Sequence, residues 1–132
     1  MHGGRPLAED PLFAARMARI AIDLENMKTT NLRTIAAAAA AGAGAPGAQS
    51  SMLKVRGTQI RQDITALMRR AMGPYAQPFV DEAFDEDYDG TPLGPYDAPD
   101  AAKSDFNHYK LSIFGGSNEI QKNIIAKAIL EL

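Results

Sequence analysis

The stretch Ile113–Leu132, IFGGSNEIQKNIIAKAILEL, decides how the chain is read. Gly115 and Gly116 stand directly before Ser117 and Asn118, and an amphipathic run follows with Ile120, Ile124, Ala128 and Leu132 at four-residue spacing. Glycine reaches backbone conformations that side chains forbid and lets another group approach closely. Ser117 or Asn118 is placed to cap the helix that starts there, and Asn118 with Gln121 has the spacing of a capping box. Glu119 falls in the first turn, where a negative charge suits the positive end of the helix dipole. A Gly-Gly loop feeding a helix N-terminus offers N–H groups to a polar or anionic ligand. On the local pattern alone, a plain, well-capped helix start is the better account of the same residues.

Working back along the chain, a shorter helix is expected from Ala98-Pro99 through Asp105 and His108 to Leu111, with Phe106 and Tyr109 in its core face. His108 is a lone histidine with no second ligand at metal spacing, so it reads as a packed or surface residue. Residues 74–100 break the helical pattern. They hold eight acids and no base, and their prolines and glycines make them too long and irregular for an ordinary bundle connection. Within them, Asp85 to Gly90 (DEDYDG) matches the first half of a calcium-binding loop. The twelfth position is Tyr96 rather than Glu, and Pro92 and Pro95 interrupt it, so a solvated acidic loop is the better account. Calcium binding through Asp85, Asp87 and Asp89 stays as a weak third reading.

Upstream, a helix beginning near Ser50 keeps the helical period with Leu53, Ile60, Ile64, Leu67 and Ala71. Gly57 interrupts that seam and suggests close contact with another helix. Arg69 and Arg70 lie in its last turns, where cations suit the dipole, and Gly73-Pro74 ends it. The first helix opens at Asp10-Pro11, Asp as N-cap and Pro at the first helical position. Phe13, Met17, Ile20, Leu24 and Met27 form one apolar seam. Continuing the register places Asn31 and Thr34 on it, with Asn31 as a hydrogen-bonded register device. The alanine run from Ala36 extends the helix at little cost until Gly42, Gly44, Pro46 and Gly47 end it. No segment alternates well enough for a sheet. The expectation is therefore all-α: a four-helix up-down bundle with a long acidic Pro/Gly loop between the second and third helices.

The chain has 132 residues, enough for one domain with a real core. It has no cysteine, which excludes disulfides, thiolate metal sites and a cysteine nucleophile. No apolar run is long enough to span a membrane, and the start of the chain has no signal-peptide core; a cytoplasmic location is the default. The net charge of −2 hides an asymmetry: residues 1–73 carry ten Lys/Arg against five Asp/Glu. A basic body beside an acidic loop suits docking on itself, on a sister subunit or on an anionic ligand. No nucleic-acid recognition motif is present, and the aromatics do not interleave with the bases.

The closing stretch, SIFGGSNEIQKNIIAKAIL, closely resembles the signature at the end of acyl-CoA dehydrogenases. There an aromatic residue and a Glu or Gly precede Gly-Thr/Ser-x-Glu/Gln-Ile-Gln-Arg/Lys, which opens the final helix. Met52-Leu53-Lys54 resembles the start of that family's second C-terminal helix, and Ala71-Met72-Gly73-Pro74-Tyr75 stands in the place of its Gly-rich turn. With Gly-Gly-Ser-Asn and an extended acidic loop, the chain looks most like the subgroup around pimeloyl-CoA dehydrogenase large subunits. Family members are much longer, with an N-terminal helical domain and a middle β-barrel. The resemblance therefore implies that residues 1–132 are the C-terminal helical domain alone.

The family removes the α and β hydrogens of an acyl-CoA thioester: a carboxylate takes the α proton and FAD takes the β hydrogen as hydride. In many members that carboxylate sits where this sequence has Gly115, which cannot act as a base, so no catalytic residue is expected here. Flavin contact is what carries over. Ser117 and Glu119 match positions that touch FAD, and with Gly115 and Gly116 they make the cofactor-binding corner. Arg69 or Arg70 stands where the family often places a Gln that meets FAD from a neighbouring subunit. The family's Arg-x-x-Phe flavin motif would fall at or before Met1.

The resemblance thus implies part of an FAD-dependent acyl-CoA dehydrogenase, inactive alone. The expected partners are a homo-oligomer (dimer or tetramer) or a partner dehydrogenase subunit, with no nucleic acid and no membrane. The alternative is a non-catalytic helical interaction module derived from the same fold.

Overall fold

In a computed structural model the chain is described for residues 4–41, 47–81, 85, 87, 90 and 94–130. Four helices follow in order: α1 (Pro11–Ala41), α2 (Ala48–Ala71), α3 (Ala98–His108) and α4 (Asn118–Leu130). Short 3-10 turns occupy Leu7–Glu9, Gly73–Ala76 and Tyr109–Ser112. No strand occurs among the described residues, so the all-α expectation holds. The acidic connection falls between the end of α2 at Ala71 and the start of α3 at Ala98; its residues 82–84, 86, 88, 89 and 91–93 lie outside the described ones, as do 42–46.

The chain divides into two compact units, Met1–Met17 with Gln62–Tyr109 and Ala18–Arg61 with Lys110–Leu132. In the first, α1 starts as its sequence dictates. The Asp10 carboxylate accepts the Phe13 backbone N–H at 2.8 Å, filling one of the donors that a helix start leaves without a partner. The core of this unit is built from small side chains. Ala76, Ala98, Ala101 and Ala102 are buried, with Met72 packed beside them. Ala98, Ala101, Ala102 and Asp105 follow the i, i+3, i+4, i+7 pattern and so form one face of α3. Alanine on that face lets the α3 backbone approach the Gly73–Ala76 turn closely. Gly73 has φ +64°, the left-handed geometry that ends α2.

α3 stops at His108 and passes into the Tyr109–Ser112 turn rather than running on to Leu111. Phe106 and Tyr109 are exposed, at 43% and 57%, which corrects their reading as core. The Phe106 ring instead carries the Arg69 guanidinium 5.4 Å from its centroid, a cation–π contact.

In the second unit the apolar seam of α1 is only partly covered. Ile20 and Met27 are half-buried, while Leu24 is exposed. Asn31 is exposed and is no buried register device. The polar end of α1 bonds to its own backbone: Thr30 and Thr34 hydroxyls donate to the carbonyls of Asn26 and Thr30, a helical habit of threonine. Gly57 is also not forced by space. A Cβ there would meet the flexible end of Met27 at 3.5 Å, an ordinary contact.

Along α2 the buried positions are Ser51, Thr58, Ile60 and Thr65. Ser51, Thr58 and Thr65 recur every seven residues, so a ridge of small hydroxyls is covered while Leu53, Ile64 and Leu67 are half-buried. The two threonine hydroxyls tolerate burial because each finds a helix carbonyl, Thr58 that of Lys54 at 2.9 Å and Thr65 that of Gln62 at 3.1 Å. In α4 the stripe expected to face the core is outside. Ile120 and Ile124 are 52% and 42% exposed and Ala128 is exposed, whereas Asn118, Gln121, Ile125 and Ala126 are covered.

Candidate functional site

The corner between the Tyr109–Ser112 turn and α4 brings Gly115, Gly116, Ser117 and Glu119 together. Gly115 and Gly116 have φ +65° and +79°, consecutive left-handed residues that only glycine adopts at little cost. They differ in what surrounds them. A Cβ on Gly116 would lie 2.6 Å from the Gln121 amide nitrogen, whereas one on Gly115 would meet nothing within 4 Å. Conformation therefore asks for glycine at both positions, and a side chain at Gly116 would in addition displace the flexible end of Gln121.

Ser117 is the N-cap of α4. Its carbonyl accepts the Gln121 N–H at 3.0 Å, and its hydroxyl accepts the Ile120 N–H at a long 3.4 Å. The Asn118–Gln121 capping box does not form. Asn118 is already inside the helix and buried, and the Gln121 amide reaches back to donate to the Gly115 carbonyl at 3.2 Å. Asn118 turns its side-chain oxygen to the Lys54 ammonium of α2, 2.9 Å away. That ammonium also donates to the Leu111 carbonyl at 3.3 Å, which the Thr58 hydroxyl approaches at 3.5 Å. Lys54 and Thr58 lie one helical turn apart and so share this face of α2.

The Glu119 carboxyl is held below the ordinary carboxylate range. Its own backbone N–H is the main cause, and the Ser117 hydroxyl comes second. Slight desolvation opposes them, and Lys122 and Lys54 add weak attraction. The helix start therefore carries its own exposed anion. A phosphate would be repelled there, while hydroxyl and amino donors would find an acceptor. The exposed Phe114 ring lies just before the glycines, under the Lys110 ammonium at 5.5 Å.

Arg69 and Arg70 belong to the other compact unit. Arg70 is exposed. The Arg69 Nε lies 2.6 Å from the Asp105 carboxylate, which is 2% exposed. Neither atom has a hydrogen bond of good geometry, so their attraction is chiefly coulombic. At that separation we regard them as paired. Thr65 donates to the other Asp105 oxygen at 3.4 Å, and the Arg69 Nη1 reaches the Gln77 amide oxygen at 3.5 Å.

Sequence reasoning missed Lys54 and Asp105, and it gave Gln121 a capping role with Asn118 in place of its bond to the Gly115 carbonyl. Lys54 looks like any other base alternating along α2, and Asp105 like any helical surface acid. Only their distant partners mark them.

No group of three or more His, Asp or Glu able to hold a metal occurs among the described residues. Asp87 donates its N–H to Asp85 at 3.2 Å, while Asp89 lies outside the described residues. Among the described residues no helix is long and apolar enough to cross a membrane.

The family model for the acyl-CoA dehydrogenase C-terminal domain matches residues 2–130. Nothing among curated proteins or solved structures matches the chain. The match takes in all four helices and the Gly-Gly corner, and the chain belongs to the acyl-CoA dehydrogenase C-terminal domain family.

Proposed function

We propose that this chain is the C-terminal helical portion of an FAD-dependent dehydrogenase of acyl-CoA thioesters, contributing part of the flavin site and the packing between subunits. The observation that carries the reading is the corner itself: two left-handed glycines, a Ser117-capped helix and an ionised Glu119 in its first turn. The corner suits a flavin nucleotide. The Glu119 carboxylate would accept from its hydroxyl or amino groups, and the two glycines would let it approach the backbone closely. When bound, the flavin supplies a hydride acceptor. This chain's residues bind and orient it, with Arg69 and Arg70 as a second, cationic contact towards a neighbouring subunit.

Gly115 stands where a base is expected and offers no group to take a proton, so the chain alone is inactive. In the assembled enzyme the four helices pack up-down. The Gly-Gly-Ser-Asn corner and the long acidic connection favour the subgroup around pimeloyl-CoA dehydrogenase large subunits. The exposed apolar side chains of α4, Ile120 and Ile124 on one face with Ile129 and Leu130 near its end, support self-association to a dimer or tetramer.

The test is reconstitution of the purified chain with FAD and a series of acyl-CoA thioesters while flavin absorbance is followed. The expected result is saturable, weak flavin binding without bleaching. Bleaching by any thioester would overturn the inactivity, and no flavin binding at all would favour a purely structural helical module. Light scattering is expected to show an oligomer; a monomer at tens of micromolar removes the packing role.

A further inference from the structure

The Gly115–Gly116 turn lies between two points that one side chain holds. The Lys54 ammonium donates to the carbonyl of Leu111, four residues before Gly115, and to the side chain of Asn118, two residues after Gly116. From this we infer that Lys54 is a positioning residue for flavin contact: it clamps the ends of the turn together and so sets where the Ser117 hydroxyl and the Glu119 carboxylate point. The inference rests on the flavin reading given above.

Three features support it. Two consecutive left-handed residues make a turn with no side chains of its own to hold it, so its shape depends on what grips its ends. Lysine suits that task, because its three donors rotate freely and satisfy acceptors that do not lie in one plane. The turn's other side-chain tie, from Gln121 to the Gly115 carbonyl, comes from α4 itself and moves with it. Lys54 ties the corner to a different helix, and the buried Thr58 closes in on the same Leu111 carbonyl.

The test compares Lys54→Met and Lys54→Arg with the parent chain, all three spanning residues 1–132. Amide spectra report the turn at Gly115, Gly116 and Glu119, and a titration with FAD reports contact at the same amides. Methionine keeps the apolar stem and removes every donor. Lys54→Met is expected to move the Gly115, Gly116 and Glu119 resonances while the α1 and α3 resonances stay in place. It is also expected to weaken FAD about tenfold, the loss of one oriented hydrogen-bond contact. Lys54→Arg is expected to restore most of both. If the Gly115–Glu119 amides are unmoved in Lys54→Met, the clamp is wrong whatever FAD does. If they move but FAD perturbs none of them in the parent chain, the clamp stands and its flavin role falls together with the flavin reading. If FAD binds the parent and Lys54→Met equally, the flavin reading survives and the positioning role is overturned.

Discussion

Long-range ties between a basic side chain and a polar partner occur in both compact units; leaving aside the Arg56–Asp23 ion pair between α2 and α1, the tie made by α3 and the tie at the Gly-Gly corner differ in kind. In the unit of α3, Arg69 meets the Asp105 carboxylate, buried against a core of alanines. In the unit of α4, the half-buried Lys54 meets two neutral oxygens beside a glycine turn. A buried carboxylate without a counter-charge is costly, and the Arg69 pairing offsets that cost. Lys54 keeps part of its hydration and serves acceptors that carry no charge. What it contributes is mainly geometry. The first tie should therefore be read in stability, the second in the shape of the corner.

The comparison breaks most readily at Asp105. Asp105→Ala leaves the Arg69 Nε without its partner and is expected to cost about 3 kcal/mol, the lower end for breaking a buried pair because Arg69 is partly solvated. Urea denaturation measures it, and a loss under ~1 kcal/mol would make the pair dispensable. The double change Asp105→Leu with Arg69→Met is expected to recover most of that loss, since removing both charges removes the desolvation problem.

Next in size is Ala102→Leu. Ala102 is fully buried in the same core, and the larger side chain should cost about 2 kcal/mol by overpacking. The midpoint of thermal unfolding reports it, and an unchanged midpoint would show that α3 is not held close.

Lys54→Met is expected to cost only ~1 kcal/mol in the same urea experiment, because the methionine keeps the packed stem and water replaces half the lost contact. A cost as large as that of Asp105→Ala would erase the distinction between the two ties.

Ser117→Ala should cost about 0.5 kcal/mol, the low end for an N-cap, because its hydroxyl bond to Ile120 is long.

The smallest effect is electrostatic. The folded-state pKa of Glu119 is lowered, so its contribution to stability is complete above the ordinary carboxylate pKa and is lost as pH falls through the lower folded value. The parent chain should lead Glu119→Gln by a small constant margin at neutral pH, and that margin should close in acid. A margin that widens on acidification would show that the backbone N–H does not hold the carboxylate.

The sequence by itself determined the four helices and most of their ends, with α3 carried past its stop at His108. Asp10-Pro11 opens α1, Gly73 closes α2, Ala98-Pro99 opens α3, and Gly115-Gly116-Ser117 opens α4. Each of these is a local matter of dihedral preference and of capping donors within three or four residues. The closing signature also carried the family. The tertiary structure alone decided which faces are covered. Periodicity put Ile120 and Ile124 of α4 inside, yet Gln121, Ile125 and Ala126 are the covered residues. It picked the leucines of α2, yet the ridge of Ser51, Thr58 and Thr65 is buried more deeply. A helix with two usable faces turns towards its neighbour whichever one lets the backbones approach and leaves the fewest polar groups unpaired. That choice depends on partners far away in sequence: Leu111 and Asn118 for Lys54, 57 and 64 residues on, and Arg69 for Asp105. No local pattern encodes those partners, which is why both ties became visible only in the folded chain.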